Sequence, residues 1–416
     1  METIPYLDSQ RAHAIAQEHG TPVFVYDQKT IEAQADKVLA FPHAFGYTAR
    51  YAMKALPSGA VLRILHAKGV HIDASSGFEV ERAMQAGFPA SHIMLTAQEL
   101  PSNFDKLVNK GVIFNACSLH QMRAFGERFH GAELCVRINP GLGSGHSNRT
   151  NVGGPSSSFG IWHEHLDEVL ETARHHNITV RGMHTHIGSG SDPEVWVHCA
   201  QMALDIAARL PDVQLLSLGG GHKVGRMPDE PSADLQAIGA RIVPMFEKFA
   251  EEHGHKLHLE LEPGTYYVAN AGALLTTVMD VADTGNEGYQ FIKVDGGMTE
   301  ILRPSLYGAQ HPMALYPSDD DARGEQDYLI AGHCCESGDI LTPEPGNPEG
   351  LNPHRLPEAR IGDLLVIGGA GAYCAAMSAK NYNSFPEAPE VLIHRDGAMN
   401  LIRRRQTLEQ VMQNEL

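Results

Sequence analysis

Short apolar runs rich in β-branched residues alternate with stretches of helical spacing from about residue 45 to residue 265. The stretches between the runs, such as SGAVLRILHAKG and SGFEVERAMQAG, repeat apolar residues every three or four positions and end near a glycine, as amphipathic helices do. Eight such β-then-α units predict a (β/α)8 barrel. The candidate strands are GYTARYAMK, VHIDAS, HIMLTA, VIFNAC, ELCVRIN, ITVRGMHTH, VQLLSLGGG and KLHLELEPG.

The pattern changes beyond about residue 275, where strand-like runs follow one another with turn residues and no helical spacing between them. These runs predict a second, mainly β domain, and the early run TPVFVYD can add a strand to it. We therefore predict an α/β protein in three parts. Residues 1–35 are an N-terminal segment contributing to the β domain, residues 36–275 are the barrel domain, and residues 276–416 are the C-terminal β domain.

One connection in the barrel is unusually long. After VRINP the chain runs through GLGSGHSNRTNVGGPSSSFGIW, which is rich in glycine, serine and asparagine. Long loops of this kind commonly serve as lids or binding loops, so we predict one at the active face. The alternative is a flexible surface insertion.

Charge and cysteine content narrow the class of protein. Fifty acidic and 32 basic residues give a formal net charge of −18, whereas nucleic acids and anionic membranes attract basic surfaces. The six cysteines lack the spacing of zinc ligands, and the start METIPYLDSQRAHA lacks the features of a secretory signal. No apolar run approaches the roughly 20 residues that a membrane span needs. We expect a cytoplasmic protein that binds neither nucleic acid nor membrane.

Two charged residues come at the carboxyl ends of predicted strands, where barrel enzymes assemble their active sites. Glu262 is followed by proline and glycine, which end the eighth strand, and Lys54 closes the first strand among apolar neighbours. Desolvation lowers the pKa of such an amine and suits it to form a Schiff base. The closing of a barrel brings the first and eighth strands together. The alternatives are a solvated loop glutamate and a surface lysine.

His184 and His186 end the sixth strand and share one face by alternation, just before Gly188, Ser189 and Gly190. A His-x-His pair on a strand can bind a metal, although no further ligands of suitable spacing accompany it. Alternatively, an imidazole lies against a planar cofactor and the following residues donate hydrogen bonds to an anion. This second interpretation uses more of the residues.

Three consecutive glycines, Gly219, Gly220 and Gly221, follow the seventh strand and allow backbone N–H groups to approach a phosphate closely. Phosphate sites in barrels commonly form on the loops after strands seven and eight. A lysine, a phosphate cradle, a ring-facing histidine and a carboxylate for a pyridinium nitrogen together favour pyridoxal phosphate.

The chain resembles the fold-type III pyridoxal-phosphate decarboxylases, which have the alanine racemase-like fold, and within them the diaminopimelate decarboxylases. The resemblance covers nearly the whole chain. The motifs that carry it are YAMKA, HIGSG, GGG, EPG, LRPSLYG, CCESGD and GAYCAAMSAKNYNSFP. Three further motifs, HSNRTNVGG, FGIW and LIRRRQT, favour the diaminopimelate decarboxylases over the ornithine-type decarboxylases.

The resemblance implies pyridoxal 5'-phosphate as the cofactor and assigns a role to each motif. Lys54 would form the Schiff base, His186 would stack on the ring, and Glu262 would pair with the pyridine nitrogen. The remaining cofactor-binding residues would be Ser189, Gly219, Gly220, Gly221, Gly264 and Tyr373.

The same resemblance implies loss of the carboxylate at the D centre of meso-2,6-diaminopimelate, which yields L-lysine and CO2 in the last step of lysine biosynthesis. Arg303 would bind the distal carboxylate, Glu336 the distal ammonium, and Tyr307 and Tyr373 would also contact the substrate. Cys335 would protonate Cα, although a buried inert thiol is the alternative. Cys335 and Glu336 would come from the partner subunit, so a homodimer with shared active sites is expected.

One position departs from the family pattern. The family continues Glu-Pro-Gly with an arginine that contacts substrate carboxylate or phosphate, and here the residue is Thr265, which cannot replace a bidentate cation. Either Arg303, Lys223 or Arg226 supplies the charge, or the substrate is a related amino acid or a carrier-bound acyl group.

Other functions also fit part of the sequence. They are a racemase, a non-catalytic pyridoxal-phosphate carrier, and a metal-dependent hydrolase built on His184 and His186. Asp73 and Glu79 match a family pattern near the cofactor, and the alternative for them is a helix cap and a helix-face charge.

Overall fold

The structure is a computed structural model that describes residues 4–143 and 152–416. Most of the HSNRTNVGG motif, and with it the centre of the predicted lid, lies outside the described residues. The chain divides into two compact units. The barrel unit consists of Glu32–Val224 and Pro231–Tyr267, and the β unit consists of the chain up to Ile31, Gly225–Glu230 and Val268–Leu416.

The described chain opens with helix α1 (Ser9–His19), strand β1 (Val23–Asp27) and helix α2 (Gln28–Leu39). Asp8 caps α1 by accepting a hydrogen bond from the backbone N–H of Arg11. All five residues of β1 are buried, as expected for a strand inside a sheet.

Eight parallel strands close into a ring in the described barrel unit, which confirms the predicted (β/α)8 architecture. All eight correspond to apolar runs of the sequence. They are β2 (Tyr47–Ala52), β3 (His71–Ala74), β4 (Ile93–Leu95), β5 (Ile113–Ala116), β6 (Glu133–Asn139), β8 (Thr179–His184), β9 (Leu215–Ser217) and β10 (His258–Leu261), with the short β7 (Ile161–Trp162) paired to β6 outside the ring. The ring closes where β10 pairs with β2, with Leu261 opposite Ala49.

Helices follow the barrel strands, and polar side chains begin several of them. Ser76, Ser118, Asp192 and Asp234 each accept a hydrogen bond from a backbone N–H of the first helical turn. The helices are α3 (Gly59–Ala67), α4 (Gly77–Gln85), α5 (Phe104–Asn109), α6 (Leu119–Arg128), α7 (Leu166–His176), α8 (Pro193–Ala207), α9 (Leu235–His253) and α10 (Thr265–Val268). Short 3-10 turns lie at Met53–Ala55, Ala90–His92, His163–His165, Ala269–Ala271 and Tyr382–Ser384.

A buried ion pair occupies the interior of the barrel between β2 and β10. The Nε and Nη2 of Arg50 donate to the two carboxylate oxygens of Glu260 at 2.8 and 2.7 Å. The Nη1 of Arg50 also donates to the carbonyl oxygens of Ile72 and His92, each at 3.3 Å. Each carboxylate oxygen and each guanidinium nitrogen of the pair thus has a hydrogen-bond partner, as a stable buried pair requires.

The β unit is built on a mixed sheet in which β1 lies between two later strands, antiparallel to β11 and parallel to β19. Its remaining strands are β11 (Gly272–Asp283), β12 (Gln290–Val294), β13 (Met313–Tyr316), β14 (Glu325–Ala331), β15 (Pro343–Glu344), β16 (Asn347–Leu351), β17 (His354–Pro357), β18 (Leu364–Ile367), β19 (Glu390–Ile393) and β20 (Met399–Arg403). The sheet packs on a core that includes Leu7, Ile15, Val23, Val366 and Val391.

The β unit also contains two short helices, α11 (Arg303–Tyr307) and α12 (Leu408–Val411), where the sequence pattern predicts strands and turns alone. Pro304 sits in the first turn of α11, where a missing N–H costs nothing and the fixed φ favours the helix. Gly308 ends it in the left-handed conformation. A helix of five residues is too short to show the helical periodicity on which the prediction relied.

Within the described part of the chain, no helix has the length and hydropathy to cross a membrane.

Candidate active site

Lys54 lies in the 3-10 turn that follows β2, at the carboxyl end of the barrel. Its neighbours Met53 and Ala55 are buried, whereas the lysine side chain is exposed, so the desolvation expected from the apolar sequence context is not observed. The ammonium of Lys54 is near enough to Asp73 to oppose, in part, the rise in pKa that burial causes there.

The loop that carries Glu262 packs directly on the Lys54 turn. The backbone N–H of Ala52 donates to the carbonyl oxygen of Pro263 at 3.3 Å. A Cβ on Gly264 would lie 3.1 Å from the carbonyl oxygen of Ala52 and from the Cβ of Ala55, so this position favours glycine. The seam between the first and last barrel strands therefore brings these two segments together, as predicted.

Glu262 is buried, and protein groups engage both of its oxygens. His184 Nε2 lies 2.9 Å from one oxygen, and the Ser217 hydroxyl donates to the other at 2.8 Å. Burial by itself raises the pKa of Glu262, but the neighbouring His184 and the hydrogen bonds from His184 and Ser217 outweigh it and hold the pKa at about 2. The carboxylate is thus kept ionised. A carboxylate oxygen has two lone pairs, so each can accept a further hydrogen bond.

His184 therefore orients the Glu262 carboxylate. This role is different from that of a metal ligand. No group of three or more His, Cys, Asp or Glu side chains is arranged to hold a metal ion in residues 4–143 and 152–416.

Several buried polar atoms at the mouth of the barrel have no hydrogen-bond partner among the described residues. They are Asp73 Oδ1, Arg137 Nη2, His184 Nδ1 and His186 Nδ1. Burial and the charge of Glu262 raise the pKa of Asp73 to about 7. Burial, with Arg137 and Lys54 nearby, lowers the pKa of His186 well below its usual range, which makes its imidazole neutral. Unpaired buried polar groups are costly and mark a site that a polar ligand completes.

Arg137 at the end of β6 stacks on Phe159, with its guanidinium carbon 4.7 Å from the ring centroid. Asn139, two residues later, fixes the base of the long loop, because its side chain bonds the backbone N–H and carbonyl oxygen of Gly154 at 2.8 and 3.0 Å. The part of the long loop that the structure describes is thus tied to the mouth of the barrel.

The three glycines allow two loops to pack closely. A Cβ on Gly220 would lie 2.3 Å from the carbonyl oxygen of Glu262, and one on Gly221 would lie 1.7 Å from that of Gly188. The Gly190 N–H donates to the Gly221 carbonyl oxygen at 3.0 Å, which joins this loop to the one carrying Ser189. In the described chain the N–H groups of Gly220 and Gly221 donate to no protein acceptor. They are available to an anion.

Glu79 has a structural role at the start of α4. Its carboxylate accepts from the Ser75 N–H at 2.7 Å, and its own N–H donates to the Ser76 hydroxyl at 3.1 Å. This is the capping role that the sequence left as the alternative.

The remaining predicted residues lie in the β unit. Arg303 and Tyr307 are one helical turn apart on α11, and Tyr307 and Tyr373 are close enough to affect the pKa of Arg303 electrostatically. Tyr373 has a φ of +57°, a conformation that a bulky residue seldom adopts and that often marks a functional site.

Cys335 and Glu336 lie in the segment between β14 and β15. Both are exposed, and their partners are Asn383, which accepts from the Cys335 N–H at 2.9 Å, and Tyr382, whose hydroxyl lies 3.5 Å from the Glu336 carboxylate. Cys335 is therefore not the buried inert thiol that the sequence left as the alternative.

These features fit pyridoxal phosphate. The anionic Glu262 suits a protonated pyridine nitrogen, the free N–H groups of Gly220 and Gly221 suit a phosphate, and the exposed amine of Lys54 suits an aldehyde. The unpaired groups of Arg137 and Asp73 add further hydrogen-bonding capacity. Sequence reasoning overlooked Arg137 and Ser217, although a polar residue facing inward at the end of an apolar strand is a recognisable signal.

The chain is similar over nearly its whole length to known proteins. The family profile described as "Pyridoxal-dependent decarboxylase, pyridoxal binding domain" matches residues 29–269. The diaminopimelate decarboxylase of Streptomyces coelicolor is 38% identical over 99% of this chain and 92% of its own length, and that of Escherichia coli is 35% identical over 96% and 94%.

Solved structures agree with these relatives. A crystal structure of diaminopimelate decarboxylase matches with a TM-score of 0.91 and 34% identity, covering 99% of this chain and 97% of that one. The Helicobacter pylori enzyme complexed with L-lysine matches with a TM-score of 0.84 and 25% identity, covering 97% and 98%. The predicted cofactor, pyridoxal phosphate, and the predicted enzyme class are confirmed, and the chain belongs to the family of pyridoxal-dependent decarboxylases that includes the diaminopimelate decarboxylases.

Proposed function

We propose that the protein decarboxylates meso-2,6-diaminopimelate at its D centre to give L-lysine and CO2. The observation that carries this proposal is the similarity to diaminopimelate decarboxylases in both units, including the β unit with Arg303 and Tyr307. The L-lysine bound in the Helicobacter pylori structure is the product that this reaction would release.

Residues at the mouth of the barrel would bind and orient the cofactor. The Lys54 amine would hold the aldehyde, His186 would face the ring as a neutral imidazole, and Glu262 would accept a hydrogen bond from the ring nitrogen. Ser189, the N–H groups of Gly220 and Gly221, and Tyr373 would hold the phosphate, with Gly219 and Gly264 allowing the loops to approach. When bound, pyridoxal phosphate accepts the electron pair left as the bond from Cα to the carboxylate breaks.

The residues of the β unit would select the substrate. The fork of Arg303 suits a bidentate carboxylate, and Tyr307 adds a hydrogen bond one turn along the same helix. As CO2 leaves, the thiol of Cys335 would deliver a proton to Cα, and Glu336 would bind the distal ammonium.

We also propose a homodimer in which Cys335 and Glu336 enter the partner's active site. Both side chains are exposed in the single chain, as residues that reach into a partner subunit are expected to be, which supports this assignment. Mixing the Lys54→Ala and Cys335→Ala variants under subunit exchange is expected to restore activity, because some dimers then contain one intact site. Mixtures that stay as inactive as the separate variants would contradict shared sites.

The test of the reaction is an assay with purified, cofactor-loaded protein and meso-diaminopimelate. We expect equal amounts of CO2 and L-lysine. A panel containing related amino acids and a carrier-bound acyl substrate, with chiral analysis of products, tests the alternatives that Thr265 raises. Turnover of a panel member without turnover of meso-diaminopimelate would refute the proposal.

We further infer that the protein acts in the cytoplasm and binds no nucleic acid. Its six free cysteines and net charge of −18 support this inference. Cell fractionation and a gel-shift assay with duplex DNA test the two parts.

A further inference from the structure

Two arginines of the β unit, Arg226 and Arg303, lie near one buried histidine, His311. Arg303 Nη1 lies 3.0 Å from His311 Nε2, and His311 Nδ1 lies 2.8 Å from the carbonyl oxygen of Gly368. The next residue, Gly369, accepts a hydrogen bond from Arg226 Nε at 3.0 Å. Burial, Arg303 and Arg226 lower the pKa of His311 well below its usual range, so this histidine is neutral, donating to Gly368 and accepting from Arg303.

The stem of Arg226 packs against Gly369, whose φ is +62°. A Cβ at that glycine would lie 3.0 Å from both Cγ and Cδ of Arg226. The backbone N–H of Arg226 is fixed as well, because it donates to the Glu230 carboxylate at 2.9 Å. The guanidinium is thus positioned from both ends of the residue.

Neither guanidinium forms an ion pair with a carboxylate within the described ranges 4–143 and 152–416. Both side chains are half-buried. Burial and the neighbouring Arg303 lower the pKa of Arg226 to about 9, although the nearby Glu230 carboxylate partly opposes this shift. Two cations that are partly desolvated and close together repel each other, and an anion between them removes that cost.

We propose that Arg226 and Arg303 form one anion-binding site, the two-arginine site, which binds an oxyanion of the reacting complex, foremost the distal carboxylate of the substrate. Guanidinium groups bind carboxylate and phosphate with two parallel hydrogen bonds, so a second arginine adds both affinity and orientation. The site gives this chain a second guanidinium although it has Thr265 where the family has arginine. This inference rests on the proposed function.

The experiment compares Arg226→Met and Arg226→Lys with the wild-type holoenzyme. The matched control is Arg209→Met, which removes an exposed arginine paired with Asp167. Inhibition by L-lysine is compared with inhibition by cadaverine, because cadaverine has both amines of L-lysine but no carboxylate. Cofactor affinity is measured separately by absorbance titration with pyridoxal phosphate, and thermal unfolding checks the fold.

For Arg226→Met we expect KM for meso-diaminopimelate and the inhibition constant of L-lysine to rise about 10- to 100-fold, as for loss of a hydrogen-bonded charge. Cadaverine inhibition and cofactor affinity stay unchanged, and Arg226→Lys gives an intermediate value. If Arg226→Met binds the cofactor more weakly but the ratio of the inhibition constants of L-lysine and cadaverine is unchanged, the two-arginine site binds the phosphate of the cofactor instead. No change in either measurement overturns the two-arginine site, whereas a wild-type enzyme inactive on meso-diaminopimelate refutes the proposed function instead.

Discussion

Glu260 and Glu262 lie two residues apart at the end of β10, yet their surroundings differ. Glu260 is buried in the barrel interior and is bonded by both oxygens to Arg50, whose remaining donors reach backbone carbonyl groups. Glu262 is equally buried at the barrel mouth, but around it lie polar atoms of Asp73, Arg137 and His186 that no described residue satisfies.

The difference separates a structural from a functional use of buried charge. All polar atoms of the interior pair are hydrogen-bonded within the protein, so loss of the pair is expected to affect stability. The mouth is incomplete, and unpaired buried groups are retained in folded proteins mainly where a ligand or a reaction uses them. Substitutions in the two regions should therefore change different measurements.

The largest effect should come from the mouth. Lys54→Ala is expected to lower kcat by a factor of about a thousand or more, since removing a covalent nucleophile disables the chemistry itself. The absorbance band at about 420 nm, expected for an imine of the cofactor, should be lost. The melting temperature should change little because Lys54 is exposed. The control is Lys106→Ala, another exposed lysine, which should retain activity. An active Lys54→Ala enzyme would remove this lysine from the mechanism.

In the interior, Glu260→Leu is expected to lower the free energy of unfolding by about 3–5 kcal/mol, because it leaves the Arg50 guanidinium buried and unpaired. Denaturant titration measures this change. The double variant Arg50→Met/Glu260→Leu should recover most of the loss, since no buried charge remains. A single variant as stable as the wild type, or a double variant no better than the single, would show that the pair is not the stabilising unit.

Glu262→Gln is expected to reduce kcat about 100-fold, because a neutral amide cannot stabilise a protonated ring nitrogen, an effect comparable to loss of an orienting partner. The free energy of unfolding should fall less than for Glu260→Leu. Exposed Glu252→Gln is the control. A Glu262→Gln variant with nearly normal kcat but a large loss of unfolding free energy would show that Glu262, like Glu260, has a structural role.

The sequence predicted the barrel well because each strand is a buried apolar run ended by turn residues, a local signal. It also placed Lys54 and Glu262 together, since closure of the barrel follows from the strand count. The unpredicted features depend on distant contacts. Ser217 reaches Glu262 across 45 positions, and no local pattern indicates that hydrogen bond.

The position of one short segment also depends on distant contacts. Gly225–Glu230 clusters with the β unit although barrel segments flank it on both sides in the sequence. Its position depends on contacts such as that from Arg226 to Gly369, 143 positions away, which composition and periodicity do not encode.

A buried histidine beside the glycine cradle gives the smallest predicted effect. His222 stacks on Trp196 with ring centroids 4.0 Å apart, and both of its nitrogens lack partners in the described structure. Burial lowers its pKa to about 3, below the roughly 6.5 of an unfolded chain, so the unfolded state takes up the proton first. Stability from neutral His222 is therefore complete above pH 6.5 and declines as the pH falls toward 3.

Between pH 7.5 and pH 5 this histidine alone should cost about 2 kcal/mol of unfolding free energy. His222→Phe, which preserves stacking on Trp196, should remove that part of the pH dependence, whereas the exposed His120→Gln should not. Denaturant titrations at the two pH values provide the comparison. An unchanged pH dependence in His222→Phe would mean that His222 has a partner for its proton in the folded state. The buried polar groups of the barrel mouth would then be hydrogen-bonded within the protein, as the Arg50–Glu260 pair is, and the contrast between the two regions would be smaller.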